Sequence, residues 1–148
     1  MATNGGQGTE TAPDTANRVS LKNLTTNLGY IVDGKGDNEG KLLLGVKEFL
    51  QANGQAGFEI PGLHDRDVFM QSGASYKLAG AATKAIKEAL NDGDVTDQDM
   101  KNIAAAIQKN VQPNSIVVDN PNTKDDKGYD KATQIRSAKK IADLGNQL

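Results

Sequence analysis

Apolar residues recur at every third or fourth position along five segments of the chain, which is the spacing of amphipathic helices. The first predicted helix begins after Ser20, an N-cap residue, and ends at Gly29. The second covers about residues 39–53 and the third about residues 75–90. The apolar positions of these three helices are Leu21, Leu24 and Leu28, then Leu42, Leu43, Val46, Phe49 and Leu50, then Leu78, Ala82, Ala85, Ile86, Ala89 and Leu90.

Two further helices are predicted in the second half of the chain. Thr96 is the N-cap of the fourth, and Asp99, three residues later, resembles the second half of a capping box. This helix ends before Pro113, and the fifth covers about residues 130–144. The apolar positions of these two helices are Met100, Ile103, Ala104, Ile107 and Val111, then Ala132, Ile135, Ala138, Ile141 and Leu144.

Two short apolar runs are typical of β-strands. Residues 30–32 are Tyr-Ile-Val and residues 116–118 are Ile-Val-Val, and each run has only the other as a pairing partner. The fold class is therefore predicted to be mainly α, a compact bundle of four to five helices with Gly-, Asp- and Asn-rich turns, with room for a small two-stranded β element. Residues 119–128 contain no apolar side chain and are predicted to form an exposed loop.

The start of the chain is predicted to be a tail. After Met1, residues 2–18 contain no large apolar side chain, so they bury too little surface to offset the entropy lost on ordering. Residues 1–18 are therefore predicted to be disordered, and residues 19–148 to form a single helical domain. The tail also lacks the basic and apolar regions of a secretory signal, which favours the cytoplasm, a virion or a specialised export route.

The composition excludes several kinds of site and partner. Because the chain has no cysteine, it has no disulfides, no thiolate metal sites and no thiol catalysis. The 17 basic and 19 acidic side chains form no basic stripe, so nucleic acid is not an expected partner. No segment approaches the roughly 18 apolar residues of a membrane span.

Candidate chemistry is sparse. His64 is the only histidine and lies beside Asp65 and Asp67, but a surface loop histidine is the favoured interpretation. Neither a Gly-x-Ser-x-Gly elbow nor a phosphate-binding glycine loop is present. No catalytic residue and no cofactor are predicted, and the chain is expected not to be an enzyme.

The acidic turn before the fourth helix is a candidate calcium site. An EF-hand loop that starts at Asp92 would need Gly at its sixth position and Glu at its twelfth, where this chain has Asp97 and Ile103. A turn followed by a helix cap is therefore favoured, and a calcium-responsive protein stays as an alternative. The candidate ligands are Asp92, Asp94, Asp97 and Asp99.

Residues 19–62 resemble the peptidoglycan-binding three-helix repeat of bacterial cell-wall hydrolases. Leu-Gly-Tyr at 28–30 is followed by Asp-Gly-Lys-Gly at 33–36, then by a helix with Val46 and Phe49. The chain departs from the family where Leu50 replaces Gln and where Phe is missing before the second loop glycine. The resemblance implies a three-helix packing unit and peptidoglycan as a partner.

Taken together, these patterns favour a non-enzymatic structural or interaction protein. We expect a bacterial or phage assembly component, or a secreted partner-binding protein, whose partners are other proteins and copies of itself. The alanine-rich helices and the predicted tail motivate this expectation, because close-packing helices and segments that order on binding are common in assemblies. A peptidoglycan-binding-like module and a calcium-responsive helical protein are the alternatives.

Overall fold

The protein is described by a computed structural model that covers residues 12–33, 40–58, 74–110 and 131–148. These ranges contain five helices and no strand, so the predicted compact helical bundle is confirmed. In chain order the helices are α1 Ala12–Val32, α2 Lys41–Ala52, α3 Ala74–Asn91, α4 Asp97–Lys109 and α5 Lys131–Gly145.

The first helix is the centre of the bundle. It contacts each of the other four helices of the described ranges, and its largest interface is with α5. Three leucines on α1 are almost completely buried, in agreement with their predicted helical spacing: Leu21, Leu24 and Leu28. Most other predicted apolar positions are also buried, so the core is built from leucine, isoleucine, valine and alanine with few aromatic rings: Leu43, Val46, Leu50, Leu78, Ala82, Ile86, Met100, Ile103, Ala104, Ile107, Ile141 and Leu144.

The prediction of a strand at residues 30–32 is wrong, because these residues form the last turn of α1. Ile31 and Val32 are each 2% exposed and continue the apolar face of the helix, so tertiary burial overrides their β preference. Gly29 does not stop the helix, since its carbonyl oxygen accepts a hydrogen bond from the Asp33 backbone N–H at 3.0 Å. The second predicted run, at 116–118, lies outside the described residues.

The predicted disordered tail overlaps α1. Residues 12–18 are helical, so the helix begins well before the predicted N-cap Ser20. These residues order without large apolar side chains because Asp14, Asn17 and Arg18 make polar contacts with the distant turn before α4. The rest of the tail, the predicted loop at 119–128 and His64 lie outside the described residues.

The N-terminus of α4 confirms the predicted capping box. The Thr96 hydroxyl accepts a hydrogen bond from the Asp99 backbone N–H at 3.1 Å, and the Asp99 carboxylate accepts one from the Thr96 N–H at 3.0 Å. Two of the backbone donors at the start of α4 are thereby satisfied, which fixes where the helix begins.

A buried glutamine ties α4 to the segment after α2. The Gln108 side chain donates from Nε2 to the Gly57 carbonyl oxygen and accepts from the Gly57 N–H, both at 2.8 Å. Gly57 has a φ of 83°, a left-handed conformation that favours glycine. The side-chain amide of Gln108 therefore makes the same two hydrogen bonds to Gly57 that a neighbouring strand residue would make. These bonds hold the irregular segment after α2 against α4.

Candidate functional site

The most elaborate polar cluster of the described residues joins the start of α1 to the turn between α3 and α4. We call it the Asp14 clamp, and it consists of Asp14, Asn17 and Arg18 on α1 with Gly93 and Val95 of the turn and Asp97 at the start of α4. Asp14 is 1% exposed, and its Oδ1 accepts hydrogen bonds from the Val95 N–H at 2.7 Å and from Arg18 Nε at 2.9 Å. Arg18 donates through a second nitrogen to the Gly93 carbonyl oxygen at 2.8 Å.

Asn17 completes the clamp. Its Nδ2 donates to the Val95 carbonyl oxygen and to Asp97 Oδ1, both at 3.0 Å. Both backbone polar groups of the buried residue Val95 are thus satisfied by side chains of α1. Since the polar groups of the clamp are used in pairing helix to turn, we assign this cluster to stability and not to chemistry.

A surface groove of about 400 Å³ lies between α1 and α5, and we call it the first groove. Small residues from both helices line it, so the two backbones can approach closely. A Cβ atom at Gly145 would lie 2.7 Å from Thr25 Oγ1, and Thr25 is held in place by donating to the Lys22 carbonyl oxygen at 2.7 Å. The small and polar lining residues are Thr25, Thr26, Gly29, Ala138, Ala142, Gly145 and Asn146.

An exposed stripe of α1, formed by Val19, Asn23, Thr26 and Tyr30, adjoins the first groove, and its members Thr26 and Tyr30 line the groove. Tyr30 lines the groove with 47% of its surface exposed, and Val19 lies three helical turns earlier with 57% exposed. Asn23 and Thr26 lie between them at helical spacing, and both are exposed. The stripe combines large apolar side chains with hydrogen-bonding groups, a composition that suits protein contacts.

A second groove, of about 470 Å³, lies between α3 and α5, and we call it the lysine groove. Lys84 and Lys87 line it from α3, and Lys140 lines it from α5. None of these three side chains has an ion pair or hydrogen bond within the part of the chain that the structure describes. The remaining lining is small, apolar or hydroxylated: Ala79, Gly80, Thr83, Ser137 and Ile141.

The four candidate calcium ligands have different surroundings. Asp97 accepts a hydrogen bond from Asn17, and Asp99 caps α4, whereas Asp92 and Asp94 are exposed in the turn after α3. No group of three or more His, Asp or Glu side chains that could hold a metal ion is found within 12–33, 40–58, 74–110 and 131–148. Two of the four carboxylates therefore have structural roles.

Sequence reasoning missed both grooves and the Asp14 clamp. The clamp joins residues about 80 positions apart, so no local spacing signals it. The lysine groove combines residues of α3 with one of α5, which appear in the sequence as scattered charges. The sequence did contain a local signal, because Lys84 and Lys87 are three residues apart and therefore lie on the same face of the predicted helix.

Comparison with known proteins adds no relative: no family model, no curated protein and no solved structure matches the chain. Of the helices in the described ranges, none has the length and apolar character needed to cross a membrane. The candidate functional surfaces are therefore those that the geometry itself provides, the first groove with the adjoining stripe of α1 and the lysine groove.

Proposed function

We propose that this protein is a non-enzymatic interaction protein that binds other protein chains through the first groove and the adjoining stripe of α1. The observation that carries the proposal is the exposure of Tyr30 at the edge of a groove of about 400 Å³, with exposed Val19 on the same face of α1 three turns earlier. Large apolar side chains that stay exposed next to a concavity are typical of binding surfaces. Assembly, in a bacterial or phage structure or as a secreted binding protein, is the context in which such a surface acts.

The chemistry of the first groove suits a partner side chain that is apolar and small. Glycine and alanine residues from both helices line it and offer no charge. Its rim carries Lys22, Asp33 and Lys139, which can orient a partner through polar contacts at the edge. Tyr30 is the expected anchor, since tyrosine is enriched among residues that contribute most to binding.

A site-specific photocrosslinker tests this proposal. Benzoylphenylalanine in place of Tyr30 should form discrete adducts on irradiation in the producing cell, because a bound partner lies against that position. The matched control places the same group at Glu48, an exposed residue of α2. Adducts at position 30 that are absent at position 48 support the proposal, whereas equal labelling at both positions, or none, contradicts it.

Peptidoglycan binding is a second candidate, favoured by one observation. The resemblance of residues 19–62 includes Tyr30, and this ring is exposed at the edge of the first groove, where a sugar could stack on it. Co-sedimentation of the purified protein with murein tests this candidate, with Tyr30→Ala as the variant expected to lose binding. If the native protein does not co-sediment with murein, peptidoglycan binding is excluded as a function.

A further inference from the structure

The charge of its lining distinguishes the lysine groove from the first groove. Lys84 and Lys87 line it from α3 and Lys140 lines it from α5, and no carboxylate of the described residues lines it. Its lining therefore carries three positive charges on a chain whose net charge is -2. The first groove differs, because its two lysines share the edge with Asp33. Positive charge is thus concentrated at one concave surface of an acidic protein.

Two carboxylates lie close in sequence to these lysines but do not pair with them. Glu88 lies four residues after Lys84, but the order Lys then Glu is the weaker one for a helical ion pair, and the two side chains are not paired in the structure. Asp143 lies three residues after Lys140, and its carboxylate contacts Lys139 Nζ instead, at 3.8 Å. The charge of the groove is therefore not offset within the described residues.

The other lining residues supply hydroxyl groups and an apolar surface. Thr83 of α3 and Ser137 of α5 each contribute a hydroxyl that can donate a hydrogen bond to an anion. Ala79 and Ile141 are buried and apolar, and Gly80 leaves open space, since no atom lies within 4 Å of where its Cβ would be. The groove volume of about 470 Å³ lies within the range of about 300–1,000 Å³ that is usual for small-molecule sites.

Phosphate groups match these donors better than carboxylates do. A phosphate monoester carries a charge of about -1.5 to -2 at neutral pH and offers three strong acceptor oxygens, whereas a carboxylate carries one charge on two oxygens. Lysine commonly binds phosphate as a point charge. A concave site lined by cations also raises the local concentration of a multivalent anion. Linked phosphates could therefore contact lysines of both helices at once.

We propose that the lysine groove binds a phosphate-bearing anion with at least two negative charges, held by Lys84 and Lys87 of α3 and by Lys140 of α5. A soluble polyphosphate or organic phosphate has this chemistry, and so does a phospholipid headgroup. The proposal goes beyond the proposed function, because it concerns another class of ligand. The two grooves share no lining residue, so each can be altered without the other.

Calorimetric titration of the full chain with inorganic tripolyphosphate tests the proposal. We expect one bound anion per chain and a dissociation constant that rises about tenfold or more between about 0.05 M and about 0.5 M salt, because the lysines are exposed. Lys84→Gln/Lys140→Gln removes one cation from each helix and should weaken binding about tenfold or more. The matched control Lys101→Gln/Lys109→Gln removes two exposed lysines of α4 and should bind like the native protein.

Sedimentation with vesicles that contain phosphatidylglycerol distinguishes the two sources of phosphate. Tripolyphosphate binding without vesicle binding supports a soluble ligand. Vesicle binding that tripolyphosphate competes away, and that Lys84→Gln/Lys140→Gln abolishes, supports a headgroup.

Three results would overturn the proposal. The first is that neither tripolyphosphate nor vesicles bind, and the second is that both double variants weaken binding equally. The third is tighter binding of an oligoglutamate peptide of the same charge, which would indicate an acidic protein segment as the occupant. Equal unfolding midpoints of the native protein and both double variants would show that any lost binding is not a loss of folding.

Discussion

The Asp14 clamp and the lysine groove use charge in opposite ways. In the clamp, Asp14 is 1% exposed and accepts hydrogen bonds from Val95 and from Arg18. In the lysine groove, three ammonium groups are unpaired within the described residues. A buried charge destabilises the fold unless it is paired, whereas an exposed charge is solvated by water and needs no partner within the fold. The comparison separates residues that hold the bundle together from residues that are available for binding.

Removing the buried carboxylate should have the largest effect on stability. Asp14→Ala should lower the free energy of unfolding by about 3 kcal/mol, because the buried Val95 N–H loses its acceptor and Arg18 loses its ion pair. Urea denaturation measures the change. Asp14→Asn is the matched control and should lose less, since its amide oxygen can still accept from Val95. A loss under about 1 kcal/mol for the alanine variant would contradict the structural role of the clamp.

Loss of the buried hydrogen bonds between Gln108 and Gly57 should have the second largest effect on stability. Gln108→Leu should lower the free energy of unfolding by about 2 kcal/mol, because the N–H and carbonyl of Gly57 are left without their partners. Gln98→Ala is the control, since Gln98 is exposed and donates a hydrogen bond to Asn102 on its own helix. Equal losses in thermal or urea unfolding would show that burial of the glutamine amide does not matter.

The helix cap should give a smaller effect. Thr96→Ala should cost about 1 kcal/mol, because the Asp99 N–H at the start of α4 loses its hydroxyl acceptor. Thr96→Ser keeps the hydroxyl and should stay close to the native stability. Chemical denaturation of both variants checks this, and an alanine variant as stable as the serine variant would argue against the capping box.

The lysine groove should show the smallest effect on stability. Lys84→Gln with Lys87→Gln should change the free energy of unfolding by no more than about 0.5 kcal/mol, because both charges are exposed and have no partner among the described residues. Relief of their mutual repulsion should make the change slightly stabilising. The same denaturation curves measure it. A loss comparable to that of Asp14→Ala would erase the distinction between the two regions.

The helices of the described ranges could be located from their apolar periodicity, whereas the two end signals assigned to α1, Ser20 and Gly29, both lie inside that helix. The predicted N-cap of α4 is the clearest confirmed signal, since Thr96 and Asp99 make their contacts within three residues of each other. The second helix is similar, with a predicted range of about 39–53 and an observed range of Lys41–Ala52. In both cases the determining interactions are local.

The features that sequence did not predict depend on distant residues. The start of α1 is ordered by Asp14 through its contact with Val95, which no local rule anticipates. The composition of residues 30–32 favours a strand, yet burial of Ile31 and Val32 against the bundle keeps the segment helical. The grooves arise where helices that are distant in sequence lie side by side, so their lining can be identified only after the bundle is assembled.

The pairing of the first helix with the last has a consequence for biosynthesis. On the ribosome α1 emerges roughly 100 residues before α5, which at about 5–20 residues per second is a delay of roughly 5–20 s. During that interval the side of α1 that contacts Gly145 and Ile141 has no α5 to cover it. A nascent chain of this protein therefore presents an incomplete bundle until α5 has been translated, and a chaperone that shields α1 would act in that interval.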